Sequence, residues 1–294
     1  MYISTEINSF RKYGDDRKII KMLKDAGFTA YDFSMFGKAW LQPNEFLASD
    51  DYLEQAKSLR AYADEIGLPC NQAHAPFPTA LDDRCGRWDF DVVAYNACSH
   101  EQITRAIEVA GVLGAKVIVV HPCNDYTPEE NAALYKSFEA AARKAGVKIG
   151  VENMWNWKQG APTACAAACS HHEDFKAHMS LLPKDVFVAC LDIGHAEMAG
   201  LNTSAAQMIE TLDEDLQALH VHDNDRTHDC HALPYMMNIG FEDILTALKK
   251  IGYRGDVTME ADQYARKFPV ELYPQAARLM AELGKYMRDR ILEK

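Results

Sequence analysis

Short apolar runs alternate along the chain with longer segments in which apolar residues recur every three or four positions. The short runs are rich in β-branched residues, as in Val117–Val120, and this composition is typical of buried parallel strands. Eight such runs are Tyr2–Glu6, Ala30–Ser34, Pro69–His74, Lys116–His121, Lys148–Glu152, Val186–Asp192, Ala218–His222 and Asp256–Glu260. The pattern therefore predicts eight parallel strands.

The longer segments predict amphipathic helices that pack one face against the strands. They are Asp51–Ile66, Phe90–Leu113, Pro128–Ala145, Ser204–Leu212 and Phe241–Ile251. Several end at a glycine, such as Gly114 or Gly146, and the next strand begins within a few residues, as is common after a glycine C-cap. The stretch Asn153–His171 is long and irregular, and we expect it to be a loop that covers the site or binds substrate.

Eight strand–helix units within 294 residues predict an α/β protein with a (β/α)8 TIM barrel, in a single domain that spans residues 1–294. An open, doubly wound sheet is the alternative for such an alternation. The glycine-rich phosphate-binding sequence of that fold is missing after the first strand, so the closed barrel is favoured.

Charge and cysteine content narrow the range of partners and compartments. The net charge is −12, with 31 Lys and Arg against 43 Asp and Glu, so the chain repels phosphate backbones and nucleic-acid binding is not expected. The eight cysteines are scattered without a CxxC pair, the N-terminus lacks a signal pattern, and no apolar run reaches the ~20 residues of a membrane span. We therefore expect a cytoplasmic protein with reduced thiols and no membrane partner.

Side chains that bind metals and protons stand at the ends of six consecutive predicted strands. They are His74, His121, Glu152, Asp192 with His195, His220 with His222, and Glu260. All strands of a barrel end at the same rim, where active sites lie. Carboxylates crowded there repel one another, so we expect a divalent cation among them. Mixed carboxylate and imidazole ligation without thiolate suits Mn²⁺ or Zn²⁺, with Co²⁺ or Mg²⁺ as alternatives.

These motifs, in this order, resemble the xylose isomerase-like barrel superfamily, which includes ketose 3-epimerases, hydroxypyruvate isomerases, inosose dehydratases and apurinic endonucleases. The segments that carry the resemblance are HAPFP, VHP, VEN, LDIGH, HVHDND and MEAD, and the match runs over essentially the whole chain. Similarity to the ketose 3-epimerases implies a single metal and two glutamates that act as acid and base on opposite faces of the substrate. The metal ligands fall on Glu152, Asp192, His220 and Glu260, and the two glutamates of this set are the expected catalytic pair. The substrate-binding histidine and arginine of those epimerases fall on His195 and Arg226.

Similarity to the apurinic endonucleases implies further zinc ligands. Their additional histidines fall on His74 and His121, which we also expect to contact the substrate, and their Asp-x-His pair falls on Asp229 and His231. A second metal held by His195, Asp229 and His231 is therefore an expectation of this resemblance. The acidic charge argues against a nuclease, and so does the sequence HDNDR, which replaces that family's Asn-Asp-(Ala/Ser)-Lys segment.

Together, the residues and the resemblance predict a metal-dependent isomerase or epimerase that moves a proton next to the carbonyl of a small sugar or polyol-derived substrate, through an enediolate. Trp155 and Trp157 are expected to stack on the sugar, with loop packing as the alternative. A keto-polyol dehydratase of the inosose or dehydroshikimate type and a zinc-dependent phosphodiesterase stay open. A homodimer or homotetramer is the assembly that the relatives imply. The sequence lacks a clear phosphate-binding glycine loop, which favours an unphosphorylated substrate.

Overall fold

Eight short parallel strands form the centre of the molecule in the computed structural model, which describes residues 1–293 apart from the side chain of Cys85. They are β1 (Ile3–Thr5), β2 (Tyr31–Ser34), β3 (Cys70–His74), β4 (Val117–Val120), β5 (Lys148–Glu152), β6 (Phe187–Asp192), β7 (Leu216–His220) and β8 (Val257–Met259). Each overlaps one of the eight predicted runs, so the predicted strands are confirmed. Strand β7 begins two residues earlier than the apolar run indicates.

The strands close into a ring. A six-stranded parallel ladder runs from β2 to β7, and β1 pairs separately with β8. Parallel bridges join the two parts, between Glu6 and Asp32 on one side and between Val221 and Met259 on the other. The chain therefore forms the predicted (β/α)8 barrel rather than an open sheet, and the carboxyl ends of all eight strands face one rim.

Helices surround this ring. They are α1 (Asp16–Ala26), α2 (Glu45–Ala48), α3 (Tyr52–Ile66), α4 (Val92–Leu113), α5 (Pro128–Lys136), α6 (Glu139–Ala145), α7 (His172–Ser180), α8 (Ile193–Ala196), α9 (Ala205–Leu212), α10 (Phe241–Lys250), α11 (Asp262–Arg266) and α12 (Tyr273–Leu292). Short 3-10 segments are Ile7–Tyr13, Asp83–Cys85, Asp213–Asp215 and Val270–Leu272. The predicted helix over Pro128–Ala145 is in fact two helices. The Ser137 hydroxyl donates to the carbonyl of Leu134 at 2.6 Å, and such a local bond competes with a continuous helix.

Most of the hydrophobic core lies between the strands and the surrounding helices. A second, smaller cluster contains only strand residues from β4, β6 and β7, so it fills part of the barrel interior. The seven described cysteines are free thiols. Among residues 1–293 no helix combines the length and the apolar character that a bilayer span requires.

Candidate functional site

A pocket of about 690 Å³ opens at the carboxyl ends of the strands. The pocket is lined by residues that end or follow five different strands: His74, His121, Glu152, His195 and Glu260. Aromatic side chains on the loops above form part of its wall: Phe36, Phe77, Trp88 and Trp155. Convergent polar groups within a partly apolar wall are typical of a small-molecule site.

Four of the predicted ligands lie together at the base of this pocket. Glu152, Asp192, His220 and Glu260 each offer a ligand atom, and these atoms all lie within 4.8 Å of one another. His220 Nδ1 is 2.9 Å from Glu152 Oε1 and 3.0 Å from Glu260 Oε2. The exposed fraction of these residues is between 0% and 8%, so the group is almost fully withdrawn from water.

The charge of this group suits a divalent cation. Burial alone would raise the pKa of Glu152 and Glu260, but the imidazole of His220 beside them holds both pKa values well below the usual range. Both carboxylates are therefore ionised at neutral pH. The separations of 2.9 and 3.0 Å between donor atoms also match neighbouring positions around an octahedral ion whose bonds are about 2.1 Å long. The residues present fit a bound divalent metal.

The two histidines predicted from β3 and β4 reach the other oxygen of the same glutamate. His121 Nε2 lies 3.0 Å and His74 Nε2 lies 3.5 Å from Glu152 Oε2, and the two Nε2 atoms are 3.1 Å apart. His74, Glu152 and His220 form a further group with the spacing of a metal site. Glu152 therefore contacts His220 through Oε1, and His121 and His74 through Oε2.

The residues predicted for a second metal also come together. Asp229 Oδ2 lies 3.3 Å from His195 Nε2 and 3.2 Å from His231 Nε2. His195 Nδ1 lies 2.9 Å from the carbonyl of Asn153 and His231 Nδ1 lies 2.8 Å from that of Glu260, so each Nδ1–H can donate to a backbone oxygen. That arrangement leaves Nε2 facing the group, as is usual for metal-binding histidines.

His222 is a fourth member of this second group, which the sequence reasoning did not include. Its Nε2 lies 3.0 and 3.1 Å from the two carboxylate oxygens of Asp192 and 3.7 Å from Asp229 Oδ1. A Cβ atom at Gly194 would lie 1.9 Å from the His222 ring, so glycine is needed there. His222 thereby links the two ligand groups. Its position two residues after His220 was the available signal, because residues two apart on a strand face the same side.

Asn153 positions residues of both groups and was also missed. Its side-chain oxygen accepts from the backbone N–H of Asp192 at 2.7 Å, and its side-chain nitrogen donates to the Asp192 carbonyl at 2.9 Å. The signal for Asn153 was its place directly after Glu152 in the VEN motif.

Nearby carboxylates also affect the charge of His195. Burial disfavours a charged His195, but Asp192 and Asp229 raise the His195 pKa to about 10.

Two predicted substrate contacts are not supported by their positions. The Arg226 guanidinium pairs with the buried Glu197 carboxylate, and Arg226 is not among the residues that line the pocket. Trp157 is 50% exposed and is likewise absent from the pocket lining, whereas Trp155 lines it and donates to Asp229 Oδ2 at 3.4 Å. The arginine that does line the pocket near β8 is Arg266, which pairs with Asp262 at 2.7 Å.

Glu6, at the end of β1, is a buried acid of the pocket that the sequence reasoning did not single out. Its carboxylate accepts hydrogen bonds from the backbone and hydroxyl of Ser9 and, at 3.1 Å, from the hydroxyl of Ser34. Burial raises the pKa of Glu6 from 4.5 to about 7, and nearby carboxylates, Asp262 first among them, add to the rise.

The raised pKa of Glu6 predicts how the stability of the fold depends on pH. An acid that ionises less readily when folded costs stability as the pH rises from its unfolded pKa of 4.5 through about 7. Glu6→Gln removes that cost. In metal-free protein, the melting temperature of the variant should therefore increase relative to that of the wild type as the pH rises from about 5 to about 8. Glu65→Gln, at an exposed position, is the control. If the melting temperatures of Glu6→Gln and the wild type differ by the same amount throughout this pH range, the raised pKa of Glu6 is contradicted.

Residues 20–283 match the sequence model of the family described as xylose isomerase-like TIM barrel. The chain is also similar to the uncharacterized protein MJ1311 of Methanocaldococcus jannaschii, with 26% identity over 256 residues that cover 82% of this chain and 77% of that protein.

Solved structures share the whole fold. A D-tagatose 3-epimerase-like protein is similar with a TM-score of 0.72 and 21% identity, over 99% of this chain and 98% of that one. The 3-keto-D-glucoside 4-epimerase YcjR from E. coli is similar with a TM-score of 0.68 and 17% identity, over 95% of this chain and 98% of that one. At these identities the likeness shows a common fold.

Proposed function

The chain belongs to the xylose isomerase-like TIM barrel family, and on that premise we propose that it is a metal-dependent isomerase or epimerase of a keto sugar. The observation that carries the proposal is the meeting of two ionised glutamates at one centre. Glu152 is the last residue of β5 and Glu260 follows β8, three strands away around the ring, yet both carboxylates lie within 3.0 Å of His220 Nδ1. The structural likeness to sugar epimerases supports the same conclusion.

Glu152, Asp192, His220 and Glu260 are the residues that would hold the metal, which is Mn²⁺ or Zn²⁺ in this proposal. When bound, such an ion supplies Lewis-acid polarisation of the substrate carbonyl, which makes the neighbouring C–H more acidic.

The two glutamates carry the proton. One of them removes the proton from the carbon beside the carbonyl, and the substrate becomes an enediolate. The same glutamate returns its proton to the neighbouring carbon, or the other glutamate, after it has taken up a proton from water, gives one to the opposite face; the first glutamate then releases its proton to water. The product is an epimer or an isomer of the same composition. His121 lies 3.0 Å from Glu152 Oε2 and orients that carboxylate. His195 and Trp155, which also line the pocket, contact the substrate.

Deuterium exchange tests this proposal directly. The metal-loaded protein is incubated in deuterated water with D-tagatose, D-psicose, D-fructose and a 3-keto-D-glucoside, and the products are followed by NMR and mass spectrometry. We expect deuterium at the carbon beside the carbonyl of at least one sugar. A product lighter by one water would support the keto-polyol dehydratase instead. Absence of exchange with every keto sugar would refute the isomerase and the epimerase.

A zinc-dependent phosphodiesterase is the second candidate, and the extended ligand set favours it. Besides the first four ligands, the structure brings together His195, His222, Asp229 and His231, and also His74 with Glu152 and His220. Separations of 3.2 to 3.7 Å within the Asp229 group are near the ~3.4 Å edge of a tetrahedral zinc site. Cleavage of a DNA duplex with an abasic site would support this candidate.

Metal content gives a further prediction. We expect elemental analysis of the purified protein to find more than one ion per chain, because both ligand groups are formed. Asp229→Asn should remove about one ion per chain and leave the ion of the Glu152 group in place, since a neutral amide is a poor metal ligand. The exposed Asp50→Asn is the control. Unchanged metal content in Asp229→Asn would show that the second group is a hydrogen-bonded cluster without metal.

A further inference from the structure

A second cavity lies beside the candidate active site and shares part of its wall. It measures about 660 Å³, and Asn8, Phe36 and Phe77 line both cavities. The rest of its lining is largely polar and comes from the 3-10 segment after β1, the loop between β2 and α2, and the first residues of α1 and α2: Arg11, Asp16, Lys38, Gln42, Asn44 and Glu45. The second cavity therefore adjoins the candidate active site at Asn8, Phe36 and Phe77.

Two aromatic rings stand at the junction of the cavities. Phe36 and Phe77 contact each other edge to face, with ring centroids 5.2 Å apart. On the side of the ligand groups, Phe36 lies 5.0 Å from the ring of His74, and Phe77 stacks on His121 at 4.7 Å. The two rings of the junction are thus in direct contact with the two histidines that reach Glu152. Aromatic surfaces of this kind suit the apolar faces of sugar rings.

The charges of the second cavity balance. Arg11 forms an ion pair with Asp16, and the remaining two charged residues of its lining are Lys38 and Glu45. A phosphate or carboxylate group would call for an excess of cations. Balanced charges together with the amides of Asn8 and Gln42 offer hydrogen-bond donors and acceptors to an uncharged polar group.

We propose that the substrate is a keto sugar with a second, uncharged glycosyl or polyol unit, which crosses Phe36 and Phe77 and occupies the second cavity. The proposal rests on the proposed function, which places the reacting keto sugar at Glu152 and Glu260. The first pocket already has the size of a whole ligand site, about 300–1,000 Å³. A cavity of similar size beyond it therefore has room for a further unit.

Calorimetry with the metal-loaded protein tests this subsite. The probes are D-fructose, the ketose disaccharides isomaltulose and lactulose, and D-fructose 6-phosphate. We expect at least one disaccharide to bind about tenfold more tightly than D-fructose, since about two further hydrogen bonds form. The phosphate ester should gain nothing. Equal affinities for all the neutral sugars would overturn the proposal, and tighter binding of the phosphate ester would show an anion site instead.

Variants of the exposed loop sharpen the test. In the double variant Lys38→Ala with Gln42→Ala, the ratio of disaccharide affinity to D-fructose affinity should fall about tenfold, because the donors beyond the aromatic junction are lost. Lys249→Ala, an exposed lysine on α10, is the matched control and should leave the ratio unchanged. A ratio that the double variant retains would contradict the subsite.

Binding and turnover separate the two proposals. If the protein binds disaccharides more tightly than D-fructose but exchanges no deuterium into any keto sugar, the subsite is supported and the proposed function is refuted. If the protein exchanges deuterium but binds and turns over mono- and disaccharides equally, the proposed function is supported and the subsite is refuted.

Discussion

Replacing Glu152 by glutamine is expected to lower turnover of the keto sugar by roughly 10³- to 10⁴-fold, which is the upper range for loss of a general base. The substitution keeps the shape of the side chain but removes the ionised carboxylate that lies between His220 and His121. Exchange of the substrate C–H with deuterated water should be lost together with turnover. The measurement is the rate of deuterium uptake by NMR.

Metal analysis of the same variant separates the two roles of Glu152. If Glu152→Gln retains its metal and loses exchange, the carboxylate acts as the base. If the metal is lost as well, Glu152 acts at least as a ligand, and Glu260→Gln then tests the partner base. Glu65→Gln, an exposed glutamate on α3, is the matched control and should keep normal turnover. Exchange at the normal rate in Glu152→Gln would refute both roles.

The strands were predictable from the sequence because each is a short apolar run that ends in a polar residue. The barrel then explains why the strand ends meet, so Glu152, Asp192 and His220 come together without any knowledge of loop conformation. Arg226 and Trp157 lie on loops, where the direction of a side chain depends on partners far away in sequence. The Glu197 carboxylate that holds Arg226 is 29 residues away, and no local pattern indicates it.

Helix α12 was not predicted, for a different reason. The buried face of α12 repeats at helical spacing, but it is built largely from small residues such as Ala276, Ala277, Ala281 and Gly284. A Cβ at Gly284 would lie 2.5 Å from the Ile3 side chain, which shows how closely this helix packs on β1. Close packing favours small side chains, and these weaken the hydrophobic periodicity from which a helix is predicted.

Substitution of His220 by alanine is expected to have the largest effect on stability, about 3–5 kcal/mol in metal-free protein at neutral pH. His220 Nδ1 lies 2.9 Å from Glu152 Oε1 and 3.0 Å from Glu260 Oε2, and all three residues are buried. Removing the imidazole leaves two ionised carboxylates close together without their main neutralising group. The measurement is the free energy of unfolding in urea, in the presence of a chelator. His228→Ala is the control, because His228 is exposed and should change stability by no more than about 0.5 kcal/mol.

The pH dependence of this loss identifies its cause. The pKa values of Glu152 and Glu260 lie below their ordinary value of 4.5 in the folded protein, so their ionisation stabilises the fold above pH 4.5 and that contribution is lost as the pH falls through the folded pKa values. His220→Ala removes the attraction that lowers both pKa values. The difference in stability between wild type and variant should therefore be largest above pH 4.5 and should shrink below it, as the carboxyls become protonated. A difference independent of pH would mean that the cavity left by the ring, and not the exposed pair of charges, determines the loss.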